Sequence, residues 1–280
     1  RSAGVGGTSG SLGTGAVVNN GVLVFNRSVA VVFNTAVSGT GALVKNGSGT
    51  LTIQKQLSYT GGTTVNEGTL VLSKGGANGI IQGDLSIQEG AQVPLKGGNS
   101  FGSSGGIASV KGVNINGGTL YFGDKNNQVC KYMTFNLTGG VVDGVAGGRM
   151  DIAMGTSIEV KAADKASEIR NINVQLKDSY PSIFRVARGT AVSDLNVSAN
   201  IVNSSGVKGA LTKTGNGIMV LSGKNTYSGG TTVELGTLVA ASSQALGTGQ
   251  AMVDSDGCLV LGGTGAAAPG IRLGNNILVK

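Results

Sequence analysis

Almost the same phrase occurs twice in this chain: SYTGGTTVNEGTL at 58–70 and TYSGGTTVELGTL at 226–238. The likeness extends upstream, where GALVKNGSGTLTI at 41–53 corresponds to GALTKTGNGIMVL at 209–221. Aligned without a gap, 41–70 and 209–238 are identical at half their positions. A finer period lies beneath. Glycine, a small or branched residue, then apolar residues at alternate positions recur as GVLVF from Gly21, GTLTI from Gly49, GTLVL from Gly68 and GTLYF from Gly118. The pattern returns as GIMVL from Gly217, GTLVA from Gly236 and GCLVL from Gly257. A repeat of roughly 20 to 28 residues signals a stacked architecture in which one unit cannot bury its own apolar face.

Each unit reads as strands. Apolar residues alternate (Leu51 and Ile53, Leu70 and Leu72, Leu259 and Leu261), which is period two rather than 3.6. Thr, Val and Ile dominate these runs and suit a pleated surface. Composition agrees: 51 glycines supply turns, aromatics are only 4%, and the hydrophobic fraction of 40% argues against disorder. Such a chain builds a narrow core from Val, Ile, Leu and Ala. The expected fold is an all-β parallel solenoid of about a dozen rungs, a rod about 60 Å long at ~4.8 Å per rung. The best helical candidate is 161–171, which has good helix formers but little apolar periodicity. The expected organisation is a flexible glycine-rich segment at 1–10 and one solenoid domain at 11–280. An irregular, loop-bearing section is expected at 161–194.

In the repeated phrase, Val65 and Val233 are expected to point inward, and Leu70 and Leu238 to fill the next inner face. Gly61–Gly62 and Gly229–Gly230 are read as corners with positive φ, where a Cβ would be penalised. A second tight bend is expected at NEG and ELG, which end in Gly68 and Gly236.

The stretch LTKTGNGIMVLSGKNTYSGGTTVELGTLVAASSQALGTG at 211–249 resembles the autotransporter-associated β-strand repeat, also called the passenger-associated transport repeat. Lys213, Gly215, Gly217, Tyr227, Gly229, Gly230, Val233, Gly236 and Leu238 are among the residues that carry the likeness. The copy at 41–72 is looser and reads QKQLS before its tyrosine. The resemblance implies a right-handed parallel β-helix in a large secreted or surface-displayed bacterial protein. It also implies a passenger segment associated with export rather than catalysis. The chain opens without Met or a signal peptide and reads as a processed or excised segment. Residues 245–261 echo 11–25, so the chain reads either as a slice of a longer rod or as a subunit that stacks end to end.

Chemistry has few carriers here. There is no histidine, which removes the commonest general base and metal ligand. Charged residues are 12%, and the net charge of +7 is dilute, with no basic run interleaved with aromatics, against nucleic-acid binding. Attraction to an anionic polysaccharide fits the charge as well. No apolar run reaches the ~18 residues of a spanning helix. Asp143, Arg149 and Asp151 in VVDGVAGGRMDIAMG could supply a carboxylate pair for glycoside chemistry, although solvated turn residues explain them as well. Asp254 and Asp256 fall short of a calcium cage. Cys130 and Cys258 stand about six rungs, hence roughly 29 Å, apart, too far for an internal disulfide, which leaves free thiols or an intermolecular bond.

The leading expectation is a non-enzymatic extracellular or cell-surface structural solenoid: a stalk, an adhesive passenger segment or a self-assembling fibre subunit. Its partners would be further copies end to end, or a surface glycan, with no cofactor and no metal. The alternative is a carbohydrate-active β-helix enzyme, a polysaccharide lyase or glycoside hydrolase.

Overall fold

The computed structural model describes residues 12–13, 15–76, 78–102, 109–262 and 273–280, together with the backbone of 3–6. Short strands are laid down in a repeating order and pair in parallel with the rungs before and after them. Val22–Asn26 pairs with Ala42–Asn46, which pairs with Thr63–Val65, which pairs with Leu85–Ile87. A second stack runs alongside, through Thr50–Ile53, Thr69–Leu72, Gln92–Leu95 and Thr119–Phe122. A third, interrupted stack is made by Val17–Val18, Val37–Gly39 and Ser58–Tyr59, and later by Asn127–Cys130, Arg149–Ile152, Asn173–Leu176 and Asn200–Asn203. The result is a three-sided parallel β-solenoid of about 11 turns. Every strand pair described is parallel, and one isolated antiparallel bridge, Asn116 with Gly139, sits at a corner.

The length of a turn varies without disturbing the stack. Leu43 pairs with Thr63, a turn of 20 residues, whereas Ile183 pairs with Thr212, a turn of 29 residues. The excess goes into corner loops such as the one carrying Val192, which is 82% exposed. This is why the sequence interval wanders while the ladder stays in register.

The core is a thin column. Leu51 pairs with Leu70, Leu120 with Val142, Val142 with Ile169 and Ile169 with Val197, all of them buried. Intervening residues alternate outward, as in Thr134–Thr138, where Phe135 and Leu137 are fully buried and their neighbours are not. Each such Leu or Phe removed from water contributes about 1.5–3 kcal/mol. Few aromatic rings are needed, because neighbouring rungs at ~4.8 Å fill the column with aliphatic side chains.

No helix occurs among the described residues. The helical candidate at 161–171 instead contains the strand Ser167–Ile169, paired with Leu195–Val197. Ser167 and Ile169 point inward and Glu168 outward, so period-two burial overrides the helix formers around it. The section at 161–194 also holds Asn173–Leu176 and Pro181–Val186, which pair on both sides with their neighbouring rungs. Within the segment 1–10, residues 1–2 and 7–10 lie outside the described residues. Ala3–Gly6 is a strand parallel to Val22–Asn26.

Candidate functional site

The two copies of the repeated phrase build the same corner. Val65, Leu70, Val233 and Leu238 are buried, with Thr63 and Thr231 beside them. The hydroxyls of Tyr59 and Thr63 share a buried hydrogen bond of 2.5 Å, and those of Tyr227 and Thr231 share another of the same length. Burial pushes both tyrosines well above their ordinary pKa, against a smaller opposing effect of the threonine bond. A phenol in a narrow column needs a partner for its hydroxyl, and the threonine four residues on supplies it.

The paired glycines divide the work. Gly62 and Gly230 have φ of 84° and 99°, in the left-handed region. Gly61 and Gly229 do not; they are glycine because the neighbouring rung is too close. A Cβ on Gly61 would stand 2.6 Å from the Gly41 carbonyl oxygen, and one on Gly229 would stand 2.4 Å from that of Lys208. The expectation of positive φ at all four is thus corrected for the first of each pair, where close approach rather than backbone twist excludes a side chain. Gly68 and Gly236 combine both, with φ of 67° and 75° and carbonyl oxygens at 2.6 and 2.4 Å.

A lysine completes each corner. Lys45 and Lys213 point into the column and are almost wholly buried. The Lys45 Nζ donates to the carbonyls of Asn46, Gly47 and, one rung on, Glu67, at 3.1, 2.6 and 3.0 Å. The Lys213 Nζ donates to those of Thr214, Gly215 and Leu235, at 3.3, 2.5 and 2.7 Å. The three protons of each ammonium thus meet three carbonyls drawn from two stacked turns. Burial lowers the pKa of Lys213 to about 8, opposed by the Asp194 charge, and lowers that of Lys45, opposed by Glu67. Neither lysine was assigned a role from sequence. The signal was present: in GALVK and GALTK the lysine stands two residues after an inward leucine, so it shares that leucine's face.

The acidic candidates are placed apart. Asp143 lies on Val141–Gly144 in the second stack, and Arg149 and Asp151 lie on Arg149–Ile152 in the third. Asp151 is fully buried and accepts from the Arg149 Nε at 2.6 Å and the Asn127 Nδ2 at 3.2 Å, with the Lys177 Nζ at 3.9 Å. Asp143 accepts from Arg170, Asn171 and the Gly144 N–H. Burial pushes the Asp143 carboxyl up, but the bonds from Asn171, Arg170 and Gly144 together with the Arg170 charge outweigh it and hold it below the usual range. A general acid needs the opposite shift. These residues fasten rungs: Asn127 and Lys177 reach Asp151 from the turns on either side. Asp194 acts likewise, accepting from Arg188, the Gly189 N–H and the Ile218 N–H of the next turn. Asp254 pairs with Lys280 at 3.4 Å. Cys130 is buried and Cys258 exposed, and both are free thiols.

Coiled parallel rungs with a corner written twice define a repeat-built β-solenoid. The repeat is similar to a known one: the sequence profile of the Passenger-associated-transport-repeat family matches at 43–72 and again at 211–240. The chain is 38% identical over 104 residues to the Adhesin BmaC autotransporter of Brucella suis biovar 1 (strain 1330), a match covering 36% of this chain and 3% of that protein. It is 32% identical over 75 residues to the Uncharacterized protein YuaQ of Escherichia coli (strain K12), covering 27% of this chain and 6% of that one. The matches therefore span a small part of either relative's length. No solved structure gives a significant match.

Proposed function

We propose that this chain is a non-enzymatic segment of a bacterial surface or secreted passenger, serving as a stiff, adhesive stretch of rod. The observation that carries the reading is the corner repeated at 43–72 and 211–240 within one continuous parallel stack, since that repeat is similar to the passenger-associated one. Likeness to a protein named an autotransporter adhesin supports the adhesive part. The mechanism is mechanical: backbone ladders running through about 11 turns resist bending, while corner loops of variable length present side chains outward.

The test is to display the chain on a bacterial surface and to image the purified protein at high concentration. Isolated rods roughly 50 Å long, at ~4.8 Å per turn, together with added adhesion by the displaying cells are expected. Concentration-dependent filaments would shift the reading to a fibre subunit that stacks end to end. Shortened products released from an anionic polysaccharide would overturn it in favour of the carbohydrate-active alternative.

A further inference from the structure

A cavity of about 380 Å³ opens at the corner beside Ser157–Val160, Pro181–Val186 and Ala210–Thr214. Its volume lies within the range of small-ligand pockets. Its charged lining is Lys161, Arg185, Arg188 and Glu159, with the Asp194 carboxylate bonded to Arg188 behind it, so three cations meet two carboxylates. The Glu159 carboxylate is already engaged, with the Arg185 Nε at 3.3 Å. Arg188 is held in place: its Nη1 donates to the Ala191 carbonyl at 2.7 Å and to the buried Asp194 at 3.0 Å, while its side chain stays 41% exposed. Among the described residues, Lys161 is exposed and its ammonium has no ion pair or hydrogen bond. Glu159, Arg185 and Thr214 follow one another in register on three successive rungs, and Lys161 and Arg188, just past the ends of the first two strands, stand on adjacent turns ~4.8 Å apart along the axis. Thr214 and Asn216 add neutral hydrogen-bonding groups, and Ala187 and Leu235 give an apolar wall.

We propose that this cavity binds an acidic sugar unit of a surface polysaccharide, its carboxylate or sulfate held by Lys161, Arg185 and Arg188. The inference rests on the adhesive reading above and names the chemistry that reading would use. A fixed guanidinium and an unpaired ammonium on adjacent turns favour an anion, and preorganisation of Arg188 by Asp194 lowers the ordering cost of binding it. The neutral groups and the apolar wall match the hydroxyls and the C–H face of a pyranose. No aromatic ring lines the cavity, which leaves neither a stacking platform for neutral sugars nor one for nucleic-acid bases.

The experiment is calorimetric titration of the whole chain with three probes: tetragalacturonate, a heparin-derived tetrasaccharide, and neutral maltotetraose. At least one acidic probe should bind, more weakly as salt is raised, and maltotetraose should not. Binding by the first probe alone identifies a carboxylate site, and by the second alone a sulfate site. Lys161→Gln combined with Arg185→Gln, both at exposed side chains, should weaken binding at least about tenfold with an unchanged far-ultraviolet circular dichroism spectrum. Should the double variant not fold, Lys161→Gln alone gives the same reading with a smaller loss. Unchanged affinity in a folded variant, equal binding of maltotetraose, or tighter capture of anionic vesicles or single-stranded DNA would overturn the assignment. A chain that forms rods and confers adhesion yet ignores both acidic probes sinks this inference alone and leaves the adhesive reading standing.

Discussion

Lys213 is the residue whose chemistry is most at odds with its place. An ammonium sits in an aliphatic column because it donates to three carbonyls, those of Thr214, Gly215 and the next rung's Leu235. Lys213→Met keeps the volume and removes the donors, and should cost on the order of 3 kcal/mol in urea denaturation, since three carbonyls lose a charged donor at once. The sign of its pH dependence follows from its lowered pKa. Between about 8 in the folded chain and the usual 10.5 in the unfolded one, the unfolded state holds more protons. Stability from this group therefore rises as pH climbs through that window. The raised pKa values of Tyr59 and Tyr227 act above it, and their contribution is lost as pH rises past the ordinary tyrosine value of 10.0. Urea midpoints of the wild type minus Lys213→Met should therefore grow more positive from pH 8 to 10. A constant difference would contradict the assignment. This residue also marks the limit of sequence reading: alternation puts Lys213 inward, but only the stacked turns show what it bonds.

At the scale of the rung, three substitutions separate core, corner and surface. Leu70→Asp places an unpaired carboxylate at a fully buried position and should cost upward of about 4 kcal/mol. Gly230→Val forces a branched residue to φ 99° with its Cβ 2.6 Å from the Gln250 carbonyl, and should cost about 2 kcal/mol or more. Asn66→Asp changes an exposed bond to Asn46, whose carboxamide can turn to donate, and should stay within about 0.5 kcal/mol. Thermal melts that rank the three differently would show the inward and outward positions to be misassigned. The same rung shows why part of the corner was legible and part was not. Val65 and Leu70 announce themselves by period-two alternation, and the fold class follows from them. Gly61 and Gly62 look alike on paper, yet one is required by a neighbouring turn some 20 residues earlier and the other by its own φ. Asp143 and Asp151 look like a pair eight residues apart, but a corner between them puts them on different faces. Proximity in sequence is a poor guide where every third element turns away.

Across the whole molecule, each turn touches only the turns before and after it, so stability should be distributed along the axis rather than held in one centre. The two written copies of the corner lie far apart on that axis, with the turns carrying Leu85–Ile87 through Leu195–Val197 between them. Damage to one copy should then leave the other standing. In Leu70→Asp, hydrogen exchange followed by mass spectrometry should show amides of Thr50–Ile53 and Gln92–Leu95 losing protection first, since these strands pair with Thr69–Leu72 on either side. Those of Ala210–Thr214, Ile218–Leu221 and Thr231–Ala240 should keep wild-type rates. Uniform loss of protection from end to end would mean that the column unfolds as one cooperative unit, and that nearest-neighbour stacking does not describe it. The distributed outcome would also mean that a turn can gain or lose loop residues, as the difference between the 20-residue and 29-residue turns shows, without loosening its neighbours.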